Sequence, residues 1–249
     1  MISHNRIKQI LTLKTKKGRE KEQLFIIEGA RCVESYINSS NQVKEIFMNK
    51  DFSIINKKIP QLCDQQNIVY SIVTDKDMKS ISDTKTPPGI IGICMFKPMP
   101  SLDYDSKRWL YLYEISDPGN LGALLRSAAW FNIKNVALSK NSADPLNPKV
   151  VRSAVGAHTY LNIYQDIDYE IYFEHKYLII GADQNGPDQI ENSDRNKKIV
   201  LVLGNESRGI DISIKNKMNK LISIEKLGHG ESLNLAIAGS ILMKNIAIK

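Results

Sequence analysis

The chain has 249 residues, 42% hydrophobic and 24% charged, with a formal net charge of +7. That is ordinary globular composition, long enough for one or two domains, and it excludes a disordered or fibrous chain. The three cysteines, Cys32, Cys63 and Cys94, lie about thirty residues apart with no C-x-x-C, which argues against a zinc ribbon or disulfide scaffold and fits a reducing compartment. No apolar run approaches the ~20 residues that cross a bilayer, and no signal region opens the chain, so a cytoplasmic protein is expected.

In chain order, residues 3–14 read as a short helix capped by Ser3, with Ile7, Ile10 and Leu11 on one face. The first thirty residues carry seven cations (Arg6, Lys8, Lys14, Lys16, Lys17, Arg19, Lys21) against three glutamates, net +4, more than half of the total charge. Such a stretch suits a polyanion partner, and a solvated basic helix equally well. Strands are predicted at residues 24–27, 43–48, 67–73 and 90–96, with a helix over 31–37. Pro98, Pro100, Ser101, Asp103 and Asp105 mark a linker. The expected division is an N-terminal α/β module at 1–97, a linker at 98–108 and a second domain at 109–249.

Beyond the linker the grammar changes. Strands at 109–115, 135–138, 177–182, 199–203 and 221–224 alternate with helices at 121–131, 148–155 and 233–248. Short, continuously apolar strands between helices indicate a parallel sheet covered on both faces. Such a sheet binds its ligand at the carboxyl ends of its strands. Three polar, glycine-bearing segments fall there: Asp117-Pro118-Gly119-Asn120-Leu121-Gly122-Ala123 running on to Arg126, Gly204-Asn205-Glu206-Ser207-Arg208-Gly209, and Gly228-His229-Gly230-Glu231-Ser232-Leu233-Asn234. Neither a dinucleotide fingerprint nor a P-loop is present, which counts against a dehydrogenase or a standard nucleotide-binding enzyme. The four histidines are scattered and no Cys/His cluster points to a metal.

These segments resemble the motifs of the SpoU/TrmH family of S-adenosylmethionine-dependent RNA 2'-O-ribose methyltransferases. Asp117 to Arg126 resembles the first motif, Leu201-Val202-Leu203-Gly204-Asn205-Glu206 the second, and Ile224…Gly228…Ser232-Leu233-Asn234-Leu235 the third. The spacings of 20 residues from Gly204 to Ile224 and 9 from Ile224 to Leu233 also suit it. Asp144-Pro145-Leu146-Asn147-Pro148-Lys149-Val150-Val151-Arg152 resembles a further shared segment, and Phe25-Ile26-Ile27-Glu28-Gly29 the family's N-terminal substrate-binding module. Two departures stand out: Glu225-Lys226 where Pro-Met is usual, and Ser207 in place of a glycine.

The resemblance implies an α/β fold whose C-terminal parallel-sheet domain is threaded into a deep trefoil knot, beside a smaller substrate-binding domain. It implies a donor pocket of backbone groups around Gly204, Asn205, Gly209, Ile224 and Leu233, with Ala182 lining it. It also implies a homodimer through the C-terminal domain, no metal, and a structured RNA substrate, with 23S rRNA ahead of tRNA. Arg126 is expected to hold an RNA phosphate and stabilise charge on the ribose oxygen. A guanidinium keeps its proton at any ordinary pH, which makes it a poor base. Asn120 is expected to orient Arg126 or the ribose, or to cap its helix, and Glu206 to bind substrate or fix the donor loop. Of Ser232 and Asn234, one is expected to cap the last helix and the other to meet RNA or donor. Arg152, Lys14, Lys16, Lys17 and Arg19 are the expected RNA contacts. A non-catalytic RNA-binding or ribosome-assembly factor on the same fold remains the alternative of a different class.

Overall fold

A computed structural model describes residues 2–39 and 43–247. The chain packs into two compact units. The first joins Met1–Pro98 to Asp144–Thr159, and the second joins Met99–Ala143 to Tyr160–Lys249. The return of residues 144–159 to the first unit has no counterpart in a linear division at 98–108.

The first unit contains helices α1 (His4–Thr12), α2 (Lys16–Glu22), α3 (Ala30–Ser39), α4 (Lys50–Ile55), α5 (Lys58–Gln65) and α6 (Asp75–Ile81). Its strands are β1 (Leu24–Glu28), β2 (Val43–Asn49), β3 (Val69–Val73) and β4 (Ile90–Met95). They form a sheet of order β1-β4-β2-β3, antiparallel except for the β2/β3 pair. Alternation along β1 sorts its side chains to two buried faces. Phe25 and Ile27 join a core with the free cysteines Cys32, Cys63 and Cys94, while Leu24 and Ile26 pack with Ile10, Leu13 and Met78. The returning segment supplies a helix at Pro148–Ala154 (α8), whose Val151 completes the first of these cores. Helices α4 to α6 are absent from the periodicity reading. Each is short, and the side chains of Asn49 and Thr74 start α4 and α6 by accepting from Phe52 N (2.9 Å) and Asp77 N (3.1 Å).

The second unit is built on β5 (Arg108–Leu112), α7 (Pro118–Trp130), β6 (Asn135–Leu138), β7 (Asn162–Tyr164), α9 (Ile171–Glu174), β8 (Leu178–Ala182), β9 (Ile199–Leu203), α10 (Ile212–Lys215), β10 (Lys220–Ile222) and α11 (Leu235–Ile246). All six strands are parallel, in the order β10-β8-β9-β5-β6-β7. Every residue of the central β5 and β9 is buried, as a sheet covered on both faces requires. One face packs on Trp109, Tyr111, Tyr164, Tyr172 and Tyr177. On the other, α11 lies so close that a Cβ on Gly239 would sit 2.5 Å from Leu124 and 2.6 Å from Leu203. Buried Arg108 closes the far end of α11, donating to the carbonyls of Ile246, Lys197 and Arg195. The edge strand β10 is shielded by the loop after β8, where Asp188 N donates to Leu221 O and Asp188 accepts from Leu221 N. The strand expected at 221–224 stops at Ile222, so Ile224 lies in the following loop. The helix expected over 233–248 begins at Leu235, and Ile248 lies outside the described residues.

Candidate active site

The carboxyl ends of β5, β9 and β10 release the three motif loops, and one carboxylate ties the first to the second. Glu206 accepts from Ser116 N (3.2 Å), Ser116 Oγ (3.0 Å), Asp117 N (3.1 Å) and Asn120 Nδ2 (3.2 Å). Burial pushes the Glu206 pKa up. The hydrogen bonds from its own amide, from Ser116, Asp117 and Asn120 outweigh that and hold it below the ordinary value. Glu206 therefore stays ionised and fixes the loop that leads into α7.

Asn120 carries the connection to the third motif. Its Oδ1 accepts from Asn234 Nδ2 at 2.9 Å, while its Nδ2 reaches Glu206. Asn120 does not cap α7: Asp117 does, accepting from Asn120 N at 2.8 Å, with Pro118 at the first helical position. Asn234 is the cap of α11, accepting from Ala236 N (2.9 Å) and Ile237 N (3.3 Å). Ser232 is exposed and makes no hydrogen bond among the described residues. The amides of Asn120 and Asn234 each keep one N–H for a ligand.

Around this network the backbone comes close. A Cβ on Gly204 would lie 2.4 to 2.6 Å from backbone atoms of Gly209 and Ile210, so only glycine fits. Asn205 and Gly209 exchange backbone hydrogen bonds at 3.0 and 2.9 Å, and Gly209 takes φ 67°. Asn205 Oδ1 accepts from Ser207 N and Arg208 N, and Asn205 Nδ2 donates to Glu114 O at 2.8 Å. Ala182 ends β8, paired in register with Ile222. Among the described residues, no hydrogen bond ties residues 224–233 to the rest of the chain. Their free amides are donors that suit a purine edge, and the half-buried Ile224 and exposed Leu227 and Leu233 are apolar surface that suits its face. The residues thus fit an adenosyl cofactor.

Arg126 lies on α7, exposed and without an ion-pair partner among the described residues. The expected RNA contacts belong to the first unit and differ in availability. Lys17 is exposed, and Lys16 reaches Glu20 only at 3.9 Å with both side chains in solvent. Lys14 donates to Ser82 O at 2.7 Å. Arg152 donates to Glu28 at 3.3 Å and keeps a third of its side chain exposed. Arg19 is a correction: 2% exposed, it donates to Leu13 O at 2.9 Å and pairs with Asp144, so its guanidinium holds the fold and faces no solvent. Ser116 and Glu114 are absent from the motif segments, and Asp117 opens the first of them without an assigned role. Their signal lay in a strand running straight into a Ser-Asp-Pro helix start.

Six parallel strands whose carboxyl ends carry three loops, joined through one carboxylate and two asparagines, define a ligand-binding α/β domain with a built polar centre. The model of the SpoU rRNA Methylase family matches residues 107–244, and that of an MRM3-like substrate binding domain matches 4–92. The 23S rRNA (guanosine(2553)-2'-O)-methyltransferase RlmP of Bacillus subtilis is 30% identical over 98% of this chain and 96% of its own. A solved RNA methyltransferase assigned to the TrmH family, from Porphyromonas gingivalis, superimposes with a TM-score of 0.80 at 27% identity, covering 99% of this chain and 98% of that one. The SpoU methyltransferase AviRb from Streptomyces viridochromogenes, solved with the cofactor AdoMet, shares the fold at a TM-score of 0.83 and 18% identity, covering 98% and 97%. The chain belongs to the SpoU rRNA methylase family.

Proposed function

We propose that this protein transfers a methyl group from S-adenosylmethionine to a ribose 2'-hydroxyl of structured RNA, with 23S rRNA as the substrate. The observation that carries the reading is the Glu206–Asn120–Asn234 network, which unites residues of all three motifs at adjoining strand ends.

The cofactor supplies an already activated methyl on a sulfonium. The chain's task is to place the hydroxyl, exclude competing geometry and stabilise the oxygen as its proton passes to the adjacent phosphate and on to water, with S-adenosylhomocysteine as the leaving group. Gly204, Asn205 and Gly209 shape one wall of the donor pocket, Ala182 lines it, and Ile224 and Leu233 cover the purine. Asn120, held from both sides, offers its remaining N–H at a fixed position. Ser232, close to Asn234 on the third loop, offers a hydroxyl to donor or ribose. The Arg126 guanidinium grips the phosphate beside the ribose and stabilises charge on the oxygen. Lys14, Lys16, Lys17 and Arg152 neutralise phosphates further along the RNA, which makes binding steeply salt-dependent.

The reading extends to a C-terminal trefoil knot, to action in the cytoplasm and to a homodimer. Support for the dimer is the apolar surface on α7 and α11, where Trp130 is 84%, Ile237 54% and Ile241 40% exposed. The test is transfer of label from S-adenosylmethionine to total RNA lacking the modification, comparing wild type with Arg126→Ala. Label at a 2'-O position of large-subunit rRNA, lost in the variant, is the expected result. Wild-type protein that binds no donor and transfers no label ends the catalytic reading.

A further inference from the structure

Glu114 opens the first motif loop in the left-handed region, at φ 51°, where residues other than glycine seldom lie. Its backbone is gripped from both sides: Glu114 N donates to Ser139 Oγ at 2.8 Å, and Glu114 O accepts from Asn205 Nδ2 at 2.8 Å. The loop's shape therefore does not depend on the Glu114 carboxylate. That carboxylate instead accepts from Arg208 Nη2 at 2.7 Å, and the arginine side chain is 70% exposed.

Arg208 stands on a fixed base. It belongs to the hairpin closed by the two Asn205–Gly209 hydrogen bonds, and its own N–H is held by Asn205 Oδ1 at 3.2 Å. Two residues before it, Glu206 organises the catalytic loop. The side chain is thus an exposed cation on a fixed base, two residues from Glu206. The same strand ends carry the carboxylates of Glu114, Glu206 and Asp211. Glu206 is occupied by the first motif loop and Asp211 by Tyr113 Oη at 2.6 Å. A polyanion approaching this acidic rim needs a cation to meet it. An exposed ion pair contributes little, whereas an arginine grips a phosphate with two parallel hydrogen bonds.

We propose that Arg208 is a further RNA-contacting residue, which exchanges Glu114 for a backbone phosphate next to the modified nucleotide. Glu114 is its resting partner and competes with the RNA for it. The inference rests on the RNA methyltransferase reading above and names a contact that the motif resemblance does not assign.

Binding of in vitro transcribed 23S rRNA, measured over a range of salt concentrations alongside AdoMet affinity, tests it with two variants. Arg208→Ala should weaken RNA binding about ten-fold and reduce the salt slope by about one. Glu114→Gln, which frees the arginine, should tighten RNA binding. AdoMet affinity should stay at the wild-type value in both, which reports an intact site. Unchanged RNA affinity and slope in Arg208→Ala would overturn the proposal. So would equal weakening by both variants, the mark of a pair that only shapes the loop. Wild-type protein binding neither RNA nor AdoMet would instead remove the function on which the proposal stands, a result distinct from either.

Discussion

Asn234 donates its side-chain amide to Asn120 at 2.9 Å, joining the starts of two helices that lie 114 residues apart in the chain. The same Asn234 side chain caps α11, so one residue sets both the helix and its docking onto the first motif. Asn234→Ser separates the two roles, because serine keeps the cap and loses the amide donor. We expect Asn234→Ala to lose about 1 kcal/mol more than Asn234→Ser in chemical denaturation, with kcat falling in both. In a double-mutant cycle with Asn120→Ala, a coupling of roughly 0.5–3 kcal/mol marks the direct bond, and strict additivity speaks against it.

Glu206 is the hub of the site because both of its oxygens face donors. Glutamine in its place turns one of these oxygens into an NH2 group, which must face either the Ser116 donors or those of Asp117 and Asn120. Glu206→Gln is therefore expected to cost about 1.5–3 kcal/mol in stability, the range for hydrogen bonds to a charged group, and to abolish most turnover. Urea denaturation and label transfer measure the two effects. A variant with wild-type stability would mean the loop is held by other means.

Gly204 offers a sharper steric test. An alanine methyl there would meet backbone atoms of Gly209 and Ile210 at 2.4 to 2.6 Å, and backbone cannot swing aside as a side-chain tip does. Gly204→Ala should cost at least about 1–3 kcal/mol and, on the proposed function, should weaken AdoMet binding, because it spreads the hairpin assigned there to the donor pocket. Calorimetry with AdoMet reads this directly. Gly209→Ala is a useful contrast, since its Cβ meets open space and only its φ of 67° opposes the change.

Much of this architecture was legible because its physical signals are local. The buried strands β5 and β9 are unbroken apolar runs, and Ser3 caps α1 as its position suggests. Long-range partners were not legible. Nothing in the basic N-terminal stretch marks Arg19 as the cation that folds inward, because its carboxylate, Asp144, is 125 residues away. Strand β7 is three residues long, too short to show a period. The motif order placed Glu206, Asn120 and Asn234 near one another, but which atom meets which depends on backbone geometry that residue types do not encode.

His158 gives the first unit a measurable response to acid. It is buried, and its Nε2 lies 2.8 Å from Pro145 O. Burial lowers its pKa, opposed in part by the Pro145 carbonyl and Asp144. The unfolded chain, with a histidine near the usual ~6.5, therefore binds the proton more readily than the folded one. The resulting stability is intact above that pH and is lost as pH falls through the depressed folded value. Thermal melts from pH 7.5 down to pH 5 (about one and a half units below the usual histidine value) should show a larger fall in Tm for wild type than for His158→Gln. Parallel curves would assign the acid response to other groups.

The apolar surface of α7 and α11 leads to a final prediction, about assembly. Trp130 follows Arg126 by four residues, so the two lie on one side of α7, and Ile237 and Ile241 repeat that spacing on α11. Exposed large apolar side chains grouped on neighbouring helices are the composition of an interaction surface. Trp130→Glu combined with Ile237→Glu should convert a dimer to a monomer in sedimentation velocity, while the buried cores are untouched and the melting curve stays cooperative. Because Arg126 shares its helix face with Trp130, the monomer should also lose turnover more than it loses AdoMet binding. A double variant that remains dimeric would move the interface to another surface, and full activity in a monomer would separate assembly from catalysis.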